Sequence, residues 1–189
     1  MTNRKTEITE AAIELIANKG IQGCTIKNLA NKVGLSEAAL YRHFKNKQAI
    51  FQGVIDSFSK LDSPCLEGNE SSLVKIKNFL NDRFFRFAQN PLLAKVVLSE
   101  AIFQNDPVIS KSVMIAMHKH RNILGKVIDE GQRANEIRAD IGTQEIFRII
   151  AGSMRITVTQ WQLTNFLFNL ENEGKKITAA LLIMLKKND

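Results

Sequence analysis

The chain has 189 residues, 44% hydrophobic and 24% charged, which fits one ordinary domain or a small module joined to a larger one and excludes a disordered polymer. Its formal net charge is +7; Met1 to Lys47 holds eight Lys/Arg against four Asp/Glu, so +4 sits in that quarter and +3 in the rest, and an anionic partner is expected there. No apolar run approaches the ~18–20 residues that span a bilayer, and the opening MTNRKTEITEAA lacks the apolar stretch of a signal peptide, so neither membrane insertion nor secretion is expected.

Apolar residues recur at helical spacing in every long segment and nowhere alternate over a strand's length, so the chain reads as all-α. A first helix with Ile8, Ala12, Leu15 and Ile16 on one face stops at Lys19-Gly20. Thr25 caps a second helix whose inner face is Ile26, Leu29, Ala30 and Val33, and Gly34 ends it. Cys24 and Leu29 stand in the register of a hydrophobic staple, as Leu35 and Leu40 do around the third helix, which Ser36 caps. Asn46 caps a fourth helix with Ile50, Val54 and Phe58 along one side.

The only long polar break is LDSPCLEGNESS, Leu61 to Ser72. Beyond it, Asn90-Pro91 and Asp106-Pro107 each pair a capping residue with proline at a first helical position. Helices are expected at about 72–89, 91–104, 107–134, 143–167 and 171–187, and the domain boundary at 46/47: residues 1–46 as one part and 47–189 as the other, with a helix from about 47 to 60 bridging them.

Two short helices joined by a glycine-containing turn and backed by a third make a helix-turn-helix. Leu29, Ala30, Val33, Leu35, Leu40 and Phe44 would form its small core with the first helix, leaving Glu37, Ala38, Arg42 and His43 on a face able to enter a major groove about 12 Å wide. Thr25, at a helix N-terminus, suits a phosphate oxygen, and Tyr41, His43 and Lys47 are placed to grip backbone. Arg42 is equipped to read guanine, Ala38 and Ala39 to touch a thymine methyl, and Glu37 to accept from a cytosine amine or simply to favour the helix start. An ordinary solvated face, with Tyr41 as a core aromatic, is the competing reading.

The stretch TIKNLANKVGLSEAALYRHFKNKQAIF resembles the DNA-binding segment of the TetR (tetracycline-repressor-like) family of bacterial transcriptional regulators, over about residues 5–55. The resemblance implies an all-α fold, with an N-terminal three-helix helix-turn-helix DNA-binding head and a larger C-terminal helical domain for ligand binding and dimerisation. It implies backbone contacts at Thr25, Ala39, Tyr41, His43 and Lys47 and base-reading positions at Glu37, Ala38 and Arg42; Lys27 and Ser36 complete the expected DNA-facing set. Ala39 replaces a hydroxyl often found at its position. The implied protein is a cytoplasmic homodimer, a repressor on a palindromic operator in double-stranded DNA, released by an apolar or amphipathic small molecule. The alternative is a DNA-bound architectural or cell-division factor under a protein partner, and a helical small-molecule carrier stays open.

Ile146 to Leu163 carries Ile149, Ile150, Met154, Ile156 and Val158 around Gly152-Ser153, and Ile177 to Lys187 is nearly continuously apolar. These last two long helices would pair with their symmetry mates as a four-helix dimer interface, unless they are the domain's own core. Effector candidates are Phe84, Phe87, Phe103, Met114, Met117, His118, Met154 and Trp161, with plain core as the competing reading. Arg83, Arg86, Arg121 and Arg155 either select an acidic effector or form a solvated face.

His118 and His120 are not at the i, i+4 spacing of a helical metal site, and Cys24 and Cys65 lack a C-x-x-C partner, so no metal, cofactor or disulfide is expected. No phosphate-cradling loop, G-x-S-x-G or H-E-x-x-H is present, so no enzyme is expected either.

Overall fold

The computed structural model describes residues 3–59, 64–99 and 107–187. Among them are nine α-helices and no strand, apart from one isolated bridge between Ile137 and Lys186. None of the helices is long and apolar enough to cross a membrane. The chain forms two compact units, Met1–Asp62 with Leu92–Ala116, and Ser63–Pro91 with Met117–Asp189.

In the first unit, α1 (Arg4–Gly23) starts where the Asn3 side chain accepts from the Lys5 N–H at 3.1 Å. Gly20, at φ 68, breaks it into a long part and one last turn, at the position where Lys19-Gly20 signals a stop. α2 (Ile26–Val33) and α3 (Glu37–His43) open on Thr25 and Ser36, whose hydroxyls accept from the Asn28 and Ala39 N–H groups at 3.1 Å each. Gly34 lies between them at φ 67, and the Leu35 N–H donates back to the Ala30 carbonyl at 2.9 Å. That left-handed closure reverses the chain within two residues. α4 (Lys47–Ser59) opens on Asn46, which accepts from the Ala49 N–H at 2.8 Å.

Ile8, Ile16, Leu29 and Leu40 are at most 2% exposed and form one core with Phe44, Ile50, Phe51 and Val54. Each fully buried aliphatic chain contributes about 1.5–3 kcal/mol. Ile50 and Val54 of the expected α4 stripe are therefore part of the head's own core, while the Phe58 side chain lies outside the described ones. The division of the chain does not fall at 46/47 as the sequence suggests, because Ile50, Phe51, Val54 and Ile55 cannot leave α1 without exposing apolar surface. Val96 from α6 (Pro91–Val97) and Ile109 and Ala116 from α7 (Pro107–Arg133) join that core. α6 ends well short of residue 104; residues 100–106 lie outside the described ones.

The second unit contains a short 3-10 turn (Pro64–Leu66), α5 (Ser72–Gln89), the later part of α7, α8 (Thr143–Leu163) and α9 (Leu170–Leu185). The polar break is thus structured at Pro64–Leu66, and Leu66 is buried. α9 runs antiparallel to α5. Gly174 sits against Phe84, while the far end of α9 meets the start of α5 through Glu136, which accepts from the Ser72 N–H at 2.7 Å and, by its carbonyl, from the Lys187 N–H at 3.1 Å. Gln132 pins the connection before α8 by donating to the Arg138 and Ile141 carbonyls at 2.9 and 2.8 Å.

The α8 stretch separates into two faces. Ile146, Ile150, Thr157, Val158 and Trp161 are buried, whereas Ile149, Ile156 and Leu163, seven residues apart, face solvent at 37%, 56% and 79% exposure. The helix ends at Leu163 rather than near 167 because Asn165 and Phe166 turn left-handed, at φ 52 and 64. The Phe166 N–H then donates to the Trp161 carbonyl at 2.8 Å and the two rings meet edge to face at 4.7 Å.

Candidate nucleic-acid interface

The buried side of α3 is short. Ala39 and Leu40 face the core and Phe44 follows them, which leaves Glu37, Ala38, Tyr41 and Arg42 to look outward. At about 100° per residue, Glu37, Tyr41, Ala38 and Arg42 fall in that order within an arc of roughly 140°. All four are exposed, Tyr41 to 46%. Tyr41 therefore stands within the outward face rather than in the core, whereas His43, half-buried and about 100° beyond Arg42, lies on the side of Ala39 and Leu40.

Ala39 departs from the expected DNA-facing set. Its methyl is 8% exposed and its N–H is taken by the Ser36 hydroxyl, because i+3 from the cap points inward. Ser36 itself is exposed, with its oxygen engaged as the cap.

Around this face the head arranges its cations. Thr25 and Lys27 are exposed at the start of α2, where the first backbone N–H groups lack helical partners. Lys45 is exposed in the link after α3, a position the expected set omits although the K-N-K run signals it. Lys47 is half-buried, its ammonium 5.2 Å from the centroid of the Phe51 ring one turn on. On α1, Lys5 lies 5.9 Å from the Phe44 ring centroid. Burial pushes the Cys24 thiol up to about 11, with the Lys47 charge pulling the other way. A Lys32–Glu14 ion pair and an Asn28 side chain donating to the Gly23 carbonyl at 3.0 Å hold α2 onto α1. The result is a rigid block with one polar, largely cationic side.

The eight effector candidates do not gather in one place. Phe84, Phe87 and Trp161 are buried and Met154 is half-buried, all in the second unit. Met114, Met117 and His118 face solvent on α7. Phe103 lies outside the described residues. An open cleft of about 250 Å³ in the first unit is lined by Asn46, Gln48, Gln52, Ile55 and Ile109, none of them a candidate.

Arg83 does not join a solvated face. It is 2% exposed, stacked 4.9 Å from the Phe79 ring centroid, and burial lowers its pKa to about 10. Across α7, burial and then the Arg83 charge bring His120 down to about 4.

Residues 8–54 match the profile of bacterial regulatory proteins of the tetR family, and residues 51–184 match that of the YsiA-like protein C-terminal region. The nucleoid occlusion factor SlmA of Aliivibrio fischeri (strain MJ11) is 34% identical over 116 residues, 58% of this chain and 59% of that protein. The chain thus spans about three fifths of the length of the first curated relatives it matches. The fatty acid metabolism regulator protein of Bacillus subtilis (strain 168) is 23% identical over 168 residues, 87% of this chain and 86% of that one. In fold, the transcriptional regulator FadR from Bacillus subtilis, solved in complex with stearoyl-CoA, is similar at a TM-score of 0.82 and 22% identity, over 95% of this chain and 98% of that chain.

Proposed function

The chain belongs to the tetR family of bacterial regulatory proteins, and on that premise we propose that it is a cytoplasmic homodimeric repressor that occludes a palindromic operator. The observation that carries this reading is the outward arc Glu37–Tyr41–Ala38–Arg42, rimmed by the exposed start of α2 and by Lys45 and Lys47. Arg42, Glu37 and Ala38 meet base edges in the major groove, while Thr25, Lys27, Tyr41, His43 and Lys47 hold phosphates. Two heads on a two-fold axis then read half-sites about one helical turn apart. The exposed apolar stripes on α8 (Ile149, Ile156, Leu163) and α9 (Ile183, Met184) support pairing with a second copy, since a patch of this kind is rarely left in water.

The match over residues 51–184 and the likeness to FadR support an apolar or amphipathic effector, with a long-chain acyl-CoA as the first one to test. Such a ligand releases DNA only to the extent that it prefers the dimer whose head spacing does not fit the operator. The test is a footprint on the chain's own upstream region with and without stearoyl-CoA, repeated for two variants. Lys47→Ala weakens binding about equally on all sequences and lowers the salt slope by about 0.9, whereas Arg42→Ala relaxes preference at one base position. Equal losses on all sequences from both changes contradict this assignment.

The 34% identity to SlmA over 116 residues reaches well beyond the head and supports a second reading, a DNA-bound cell-division factor that answers to a protein partner. Protection of many dispersed sites, unmoved by stearoyl-CoA, favours that reading over the repressor.

A further inference from the structure

We propose that Phe51 is a positioning residue for DNA binding, its buried ring holding the Lys47 ammonium in place so that a phosphate meets a cation that is already ordered. The inference rests on the DNA-binding reading above and assigns a role inside the head's core. Phe51 is 4% exposed and packed with Ile50 and Val54, so its ring cannot follow a mobile lysine; the lysine must come to the ring. The two lie one turn apart on α4, with Nζ 5.2 Å from the ring centroid, within the range of a cation–π contact.

The site is otherwise unwelcoming to a cation. Lys47 is the first residue of α4, where the helix dipole is positive. Without the ring, a lysine here would swing out into water and lose rotamer freedom on every docking event. With it, the ammonium is held over the ring before any phosphate arrives.

The test is a double-mutant cycle of Lys47→Ala and Phe51→Leu in the full-length protein, read on a random-sequence duplex from about 50 to 200 mM salt. Phe51→Leu weakens binding about two- to tenfold, as expected for one side chain that must now be ordered on contact, and leaves the salt slope unchanged because the phosphate contact survives. In the Lys47→Ala background the same change has no further effect. Equal losses in both backgrounds assign Phe51 to packing alone and overturn the proposal, while failure of the wild type to bind any duplex overturns the DNA-binding reading itself. A second measurement needs no variant: the Lys47 ε-methylene protons shift upfield in the NMR spectrum under the Phe51 ring current, and ordinary solvent-exposed lysine shifts overturn the placement.

Discussion

Gly174→Ala puts helix propensity and packing in opposition at a site where the distances decide between them. A Cβ added at Gly174 would lie 2.3 Å from Cγ, 2.4 Å from Cδ2 and 2.8 Å from Cβ of Phe84. Ordinary van der Waals contact begins at 3.4 Å, so α9 or the ring must retreat by about an ångström. Neither has room: Phe84 is 1% exposed, and α9 is tied to α5 at its other end through Glu136. Alanine favours an exposed helix interior by about 1 kcal/mol over glycine, whereas overpacking of a closed core costs about 1–3 kcal/mol and at times more. With contacts this short the upper part of that range applies, so the clash wins, by up to roughly 2 kcal/mol, and lowers Tm by up to about 8 °C for a chain of this size. The assay is thermal and urea unfolding at one fixed protein concentration, since pairing with a second copy, as proposed above, would make Tm concentration-dependent. Phe84→Leu in the same chain should recover part of the loss. A Gly174→Ala protein as stable as the wild type would refute the reasoning, because it would mean that the α5–α9 spacing is soft.

Three other outcomes are expected. Ile156→Lys and Ile183→Lys, at 56% and 77% exposed positions, leave the subunit folded but shift sedimentation from dimer to monomer; an unchanged dimer rules out α8 and α9 as the interface. Gly34→Ala, at φ 67 with nothing within 4 Å of the added methyl, loses about 1 kcal/mol through backbone strain alone, measurable as a lower urea midpoint; no loss would mean that the α2–α3 turn relaxes. Burial, then Arg83 and Lys119, lower the His120 pKa from 6.5 to about 4, so its contribution is intact above pH 6.5 and is lost as the pH falls towards 4, the unfolded chain taking up a proton that the folded one refuses. His120→Phe flattens the stability profile across that window, and a profile as steep as the wild type's would place the titration elsewhere.

The local features were legible because they are written in neighbouring residues. Thr25, Ser36 and Asn46 each cap the helix that their type and position announce, and Gly34 takes the left-handed conformation that only glycine adopts cheaply. Helix starts at Pro91 and Pro107 follow from the same chemistry. Sequence reasoning failed where a residue's fate depends on which neighbour arrives from far along the chain. Nothing near Ala39 says that its methyl faces in; its packing beside Leu40 on the inward side of α3 decides it. Apolar spacing alone could not divide Ile149 and Ile156 from Ile150 and Val158, since a helix that is apolar all round shows no preferred face until a partner covers one.

By itself, then, the order of residues determined where helices begin and end, that a short turn separates α2 from α3, and that positive charge gathers at one end of the chain. Only the tertiary structure decided that α4 belongs to the head's core, that Arg83 is buried, that Met114, Met117 and His118 face water, and that Lys47 rests on Phe51. The reason is range: caps, turns and charge act between residues a few positions apart, whereas burial is set by side chains that meet only when distant helices pack.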